Sequence, residues 1–121
     1  MKTIDFINEC GSFFLLTVND NCPVGRPFGA IMEHNENLYI STADTKNVYA
    51  QMKKHPKIQI IALKNGTRSW LRISGEAEEC LDMEIKHKML MECPILTNHF
   101  STADTPHYSV FKISIEHTEV C

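Results

Sequence analysis

The sequence predicts a mostly β domain with peripheral helices, in which six antiparallel strands form a small barrel, closed or split. Three observations lead there. Short runs of apolar, aromatic and β-branched residues recur along the chain, separated by turn chemistry such as Asn19-Asp20-Asn21 and Asn65-Gly66. After a short opening helix, helical periodicity appears only between the third and fourth strands and between the fifth and sixth. The order of elements does not fit a Rossmann arrangement, and no GxGxxG is present to support one.

Each element has its own signal. Residues 3–10 predict a helix with Thr3 as cap and Ile4, Phe6 and Ile7 inward, ended by Gly11. Residues 12–19, SFFLLTVN, predict a first strand apolar enough for burial on both faces. Residues 23–33 predict the second strand and residues 38–42 the third, with a polar turn between them. A helix with Val48, Tyr49 and Met52 on one face follows and stops before Pro56. Residues 57–64 and 67–79 predict the fourth and fifth strands, joined at Asn65-Gly66 by a type I′ turn. Residues 82–93 predict a helix with Ile85, Met89 and Leu90 inward, residues 95–106 a loop, and residues 108–116 the sixth strand. The string STADT occurs at 41–45 and 101–105; the flanks differ, so the repeat reads as coincidence.

Composition narrows the function. A chain of 121 residues predicts one domain spanning 1–121. The net charge of −3 argues against a nucleic-acid binder and offers no attraction to an anionic membrane, so any phosphate site must be a local cluster of cations. The longest apolar run, Phe13 to Val18, is too short to span a bilayer. Asp5 and Glu9 precede it without a cleavage pattern, which argues against a signal peptide. Five cysteines without CxxC fit a reducing, cytoplasmic setting. The six histidines have no ligand spacing, so no metal site is expected. No hydrolytic constellation or GxSxG occurs. Glu76, Glu78, Glu79 and Asp82 read as a solvated strand edge followed by a helix cap.

Three stretches carry the chemistry. The first is LYISTADTKNVYAQMKKHP, residues 38–56, where Asp44 or Thr45 is expected to cap the helix. Lys46 stands in the first turn, where the helix dipole disfavours a cation. With the hydroxyls of Ser41, Thr42 and Thr45 and the free N–H groups of a helix start, it makes a phosphate cradle. The plain structural account is a strand-to-helix junction in which Asp44 offsets Lys46. The second stretch is GRPFGA, residues 25–30. Pro27 implies an edge or bulge, and flanking glycines bare the backbone to a flat ligand. A regular pleat puts Arg26 on one face with Val24, Phe28, Ala30 and Met32, where a guanidinium needs an anionic partner, or a carbonyl or carboxylate of the chain itself. The third is RSWLRISGE, residues 68–76, with Leu71, Ile73 and Ala77 inward. Arg68, Trp70, Arg72, Ser74 and Glu76 face the other way, as an interface, a ligand wall, or a surface Trp with stacked arginines.

In order and spacing, GRPFGAIM, LYISTADTKNVYAQMKKHP and WLRISGEA resemble the pyridoxamine 5′-phosphate oxidase-like, FMN-binding split-barrel flavoproteins, most closely their short general-stress-protein-like members. The resemblance runs from about residue 13 to 79, with the later helix and last strand also in place. It implies a six-stranded antiparallel split β-barrel and an FMN-binding homodimer with the cofactor at the subunit interface. Arg26 and Lys46 would hold the FMN phosphate, with Ser41, Thr42 and Thr45 donating and Asn47 assisting. The backbone of Pro27, Phe28 and Gly29 would line the isoalloxazine, and Trp70 and Arg72 would belong to the same groove, reaching flavin held mainly by the partner chain. Gln51 is a further, weaker contact. The implied function is an FMN-dependent oxidoreductase acting on a small organic molecule. The alternatives are a non-catalytic flavin carrier or redox-sensing module, or a barrel holding heme or a deazaflavin. Longer family members carry a C-terminal segment with substrate-phosphate contacts that has no counterpart here, so vitamin oxidation itself is not implied. No residue is assigned as general acid or base; spacing does not decide whether His34, Tyr39 or Cys22 reaches the groove.

Overall fold

Strand alternation and a single two-residue corner together shape this chain. The computed structural model describes residues 3–121. Its strands are β1 (Phe13–Asn19), β2 (Cys22–Phe28), β3 (Ile31–His34), β4 (Asn37–Ala43), β5 (Lys57–Leu63), β6 (Trp70–Cys80) and β7 (Tyr108–Val120). Its helices are α1 (Thr3–Cys10), α2 (Asn47–Lys54) and α3 (Met83–Glu92), with a 3-10 helix at Pro94–Asn98. All strand pairs are antiparallel, in the order β2-β1-β5-β6-β7-β4-β3. The two edge strands, β2 and β3, are separated in sequence by Gly29 and Ala30 alone. Two residues reach about 7 Å, so the edges must lie side by side and the sheet must curl round. No ladder joins them, and the barrel is split there.

The expected single strand over residues 23–33 is therefore two strands on opposite edges, and the sheet has seven strands rather than six. The break also divides the expected common face. Phe28 packs against the barrel core, whereas Ala30 and Met32 belong to a second cluster. The barrel core holds Leu15, Ile40, Ile60, Ile73 and Phe111 and is closed by Ile7 of α1 and by Val48 and Met52 of α2. The second cluster packs Tyr39, Tyr108 and Val110 against Met89 and Leu90 of α3 and Leu96. β4 is thus buried on both faces, Ile40 toward the barrel and Tyr39 toward α3. β1 is not: Phe13 and Leu15 are buried, but Phe14 is 52% exposed.

The turns differ from expectation in an instructive way. Asn65-Gly66 is not a two-residue I′ turn: Leu63 pairs with Trp70, so six residues intervene, and of the two only Gly66 has positive φ. The type I′ signature, positive φ at both central residues, instead appears at Asp20-Asn21 and at Asn35-Glu36, each closing a two-residue hairpin. The fifth expected strand begins at Trp70, the last strand runs on to Val120, and the expected loop contains the 3-10 helix. A bulge sits between Ser74 and Gly75, where a Cβ on Gly75 would collide with the Ser114 carbonyl. Asp82 caps α3 as expected, accepting from Glu84 N at 2.9 Å.

Candidate functional site

A groove of about 870 Å³ opens where the barrel splits. One wall is β2 and its corner: Arg26, Pro27, Phe28, Gly29 and Ala30. Proline suits this edge strand, because its missing N–H faces no partner strand. The floor is the end of β4, Ser41 and Thr42, followed by Lys46, Asn47 and Gln51 at α2. The far wall is Ile95, Leu96, His99 and Phe100.

Arg26 is held from inside the chain. Its guanidinium donates to Thr17 Oγ1 at 2.8 Å and to Gln51 Oε1 at 2.7 Å, with a longer contact to the Leu15 carbonyl at 3.4 Å. Thr17 donates to the same Gln51 oxygen at 2.6 Å. Every partner is neutral. Burial lowers the Arg26 pKa below the ordinary guanidinium value, yet the group stays charged at neutral pH. Its charge is left for an anion from outside.

The cradle differs in one respect from the sequence reading. Neither Asp44 nor Thr45 caps α2. The N-cap is Lys46, in extended conformation with no side-chain cap bond, and no acidic residue stands in the first turn. Asp44 is turned to His107 instead, 2.7 Å from Oδ1 to Nδ1, and Asp44 N donates to the His107 carbonyl at 3.0 Å. That pairing prolongs the β4–β7 ladder past Ala43 and Tyr108. It sets the end of the second STADT copy beside the end of the first. Among the described residues, Lys46 makes no ion pair. Ser41 is only 8% exposed and its Oγ has no hydrogen-bond partner. A buried hydroxyl without a partner costs about 1–3 kcal/mol, and Ser41 is one of the residues that line the groove.

The groove lining contains no carboxylate. A smaller hollow of about 560 Å³ shares Gly29 and Ile95 but is lined by Glu33 and Glu92 and no cation, so an anion is drawn to the groove rather than to it.

Of the residues singled out from sequence, Arg26, Pro27, Phe28, Gly29, Ser41, Thr42, Lys46 and Asn47 line this one groove, as does Gln51. Thr45 and Cys22 are exposed and outside the lining; half-buried His34 and buried Tyr39 lie outside it too. Trp70 and Arg72 also lie outside it. Arg72 sits 4.9 Å from the Trp70 ring and 3.5 Å from Glu119 Oε1, on the outward face of β6. Sequence reasoning missed the far wall, whose one signal was an aromatic pair of neighbours, His99-Phe100, inside a supposed loop. It also missed Thr17, which looks like any β-branched strand residue. Among the described residues, no three His, Cys, Asp or Glu side chains converge as metal ligands, and no helix is long and apolar enough to cross a membrane.

A family model described as pyridoxamine 5′-phosphate oxidase matches residues 2–121. The chain belongs to that family. A solved NimC/NimA family protein from Clostridium acetobutylicum has a TM-score of 0.90 at 32% identity, covering 97% of this chain and 83% of that one. General stress protein 26 from Bacillus anthracis has a TM-score of 0.81 at 16% identity, covering 97% and 88%. HutZ from Vibrio cholerae, described as a heme storage protein, has a TM-score of 0.79 at 12% identity, covering 97% and 90%. At these lower identities the likeness is one of fold, the split barrel. No match was found among curated proteins.

Proposed function

We propose that this family member is an FMN-binding flavoprotein that works as an oxidoreductase on a small organic molecule. The observation that carries the reading is the orphaned Ser41 Oγ, buried in a carboxylate-free groove beside Lys46 and Arg26. A dianionic phosphate answers each feature: it accepts from Ser41 and Thr42, offsets the two cations and meets the free N–H groups at the start of α2. Arg26, Lys46, Ser41, Thr42 and Asn47 would hold the phosphate, and the bare backbone at Pro27-Phe28-Gly29 would face the flavin ring. Bound FMN supplies electron or hydride transfer; the chain supplies orientation, charge and exclusion of water. A flavin carrier or sensor without turnover would use the same residues. Heme is less well served, since the groove's one imidazole, His99, is exposed rather than buried as an axial ligand.

We also propose a homodimer. The outward face of β1, β5 and β6 carries Phe14 and Leu63, each 52% exposed, with Ile61, Trp70 and Arg72 in register beside them. A second copy would cover these side chains and bring Trp70 and Arg72 toward the partner's groove.

The test is a titration with FMN followed by the visible spectrum and by quenching of flavin fluorescence. Saturable binding is expected, and the double variant Arg26→Ala, Lys46→Ala should weaken it at least a hundredfold, about 1.4 kcal/mol for each tenfold step. Absence of a flavin band together with absence of saturable quenching would sink the proposal.

A further inference from the structure

The far wall of the groove has no role in holding FMN's phosphate. It is built as a surface of its own. Pro94 opens the 3-10 helix, and His99 closes it with its N–H on the Leu96 carbonyl at 3.0 Å. Leu96 is buried in the second core cluster and fixes the segment from below. Phe100 stacks on Tyr108 with ring centroids 4.8 Å apart, and Tyr108 is anchored in turn by donating to the Lys86 carbonyl at 2.8 Å. The His99 ring lies 6.3 Å from Phe100. The wall is therefore a short row of flat groups seated on β7, across the groove from the bare strand Arg26–Ala30.

Its chemistry is one-sided. Apart from Arg26 and Lys46, the only titratable side chain in the lining is His99, and no Asp or Glu is present to receive a cationic group. An imidazole N–H donates when neutral and adds charge when protonated. Ile95 and Phe100 beside it present apolar and aromatic surface. A planar ring with an acceptor or anionic edge matches this wall; an ammonium group meets two cations and no carboxylate to pair with.

We propose that Ile95, His99 and Phe100 form a substrate-side subsite of the groove, which takes a small planar aromatic carboxylate or a compound with a similarly acceptor-rich edge, with His99 as its hydrogen-bond donor. This inference rests on the FMN reading for the occupant opposite the wall, and on the wall's own geometry for the ligand class. His99 is a specificity-determining residue in this arrangement; no proton or electron transfer is assigned to it.

The experiment uses the full chain loaded with FMN and titrated with benzoate, then with benzylamine, following perturbation of the bound flavin's visible spectrum. The same titrations on the flavin-free chain follow the His99 ring-proton signals by NMR. Benzoate should bind saturably in both forms and benzylamine in neither. His99→Phe, which keeps a flat ring, should weaken benzoate about ten- to fifteenfold, near the low end for one hydrogen bond to a charged group. His99→Gln, which keeps a donor, should restore most of the affinity, and both variants should bind FMN like the wild type. If FMN binds but benzoate leaves the flavin spectrum and His99 signals unmoved, or binds no better than benzylamine, or binds His99→Phe unchanged, the subsite is wrong and the FMN reading stands. If FMN does not bind while benzoate still shifts His99, the FMN reading fails and the subsite survives.

Discussion

Arg26 on the edge strand β2 donates to Gln51 Oε1 on helix α2 at 2.7 Å, and that bond ties the β2 wall of the groove to its floor. The acceptor is neutral, which leaves the guanidinium oriented but not neutralised. Gln51→Glu separates these two effects. A carboxylate would accept the same bonds more strongly, so thermal stability should stay level or rise. It would also satisfy the Arg26 charge and place an anion in the cradle, so FMN affinity should fall about tenfold or more. Thermal melting and fluorescence titration of the variant check both directions.

Ser41 gives a second sign test. Its Oγ is buried without a partner, so Ser41→Ala should leave the flavin-free protein as stable as the wild type or more stable by about 1 kcal/mol. The same change removes a phosphate donor and should weaken FMN several-fold. Denaturant unfolding without flavin and titration with it measure the two effects. A loss of stability in the flavin-free state would mean that the hydroxyl already has a partner.

The alkaline limit of the fold should report two tyrosines. Tyr49 donates to Glu79 Oε1 at 2.7 Å, and that bond, with burial and the Glu79 charge, pushes its pKa up to about 12. Burial pushes Tyr108 up to about 12 as well. Raised pKa values mean that the folded state holds its phenolic protons more tightly. Their contribution is complete below the ordinary tyrosine pKa of about 10 and is lost as pH rises through about 12. Unfolding free energy measured across that window should fall, and Tyr49→Phe should reduce the slope by close to one proton.

A dimer built on the outward face of β1, β5 and β6 should not survive a charge placed on that face. Leu63→Glu is expected to give a monomer by light scattering with near-native circular dichroism, because Leu63 is 52% exposed in the single chain. FMN binding should weaken with dissociation if Trp70 and Arg72 reach the partner's groove. A stable dimer of the variant would place the interface elsewhere.

Much of the site was legible because it depends on local chemistry. Pro27 between two glycines reads as an exposed edge whatever the rest of the chain does, and a lysine at a helix start reads as a departure from dipole preference. The cap did not read correctly. Asp44 is a good N-cap by type, but the β4–β7 ladder extends one step further and His107 claims its side chain. Asn65-Gly66 likewise has the chemistry of a tight turn, yet the Leu63–Trp70 register leaves a six-residue connection. In both places pairing with a distant strand outweighs a local preference.

The sequence by itself determined the alternation of β6, the cap of α3 at Asp82, the bare strand around Pro27 and the misplaced cation at Lys46. These follow from side-chain period and backbone chemistry within a few residues. Tertiary structure alone decided that residues 23–33 divide at Gly29-Ala30 onto the two edges of one sheet, that the split between those edges becomes a groove, and that His99 and Phe100 form its far wall. That Trp70 and Arg72, outward by alternation, lie outside the groove lining was likewise decided only by the closed sheet. The physical reason is that closure of a sheet is set by twist and by pairings between strands far apart in sequence, and no local window of residues carries that information.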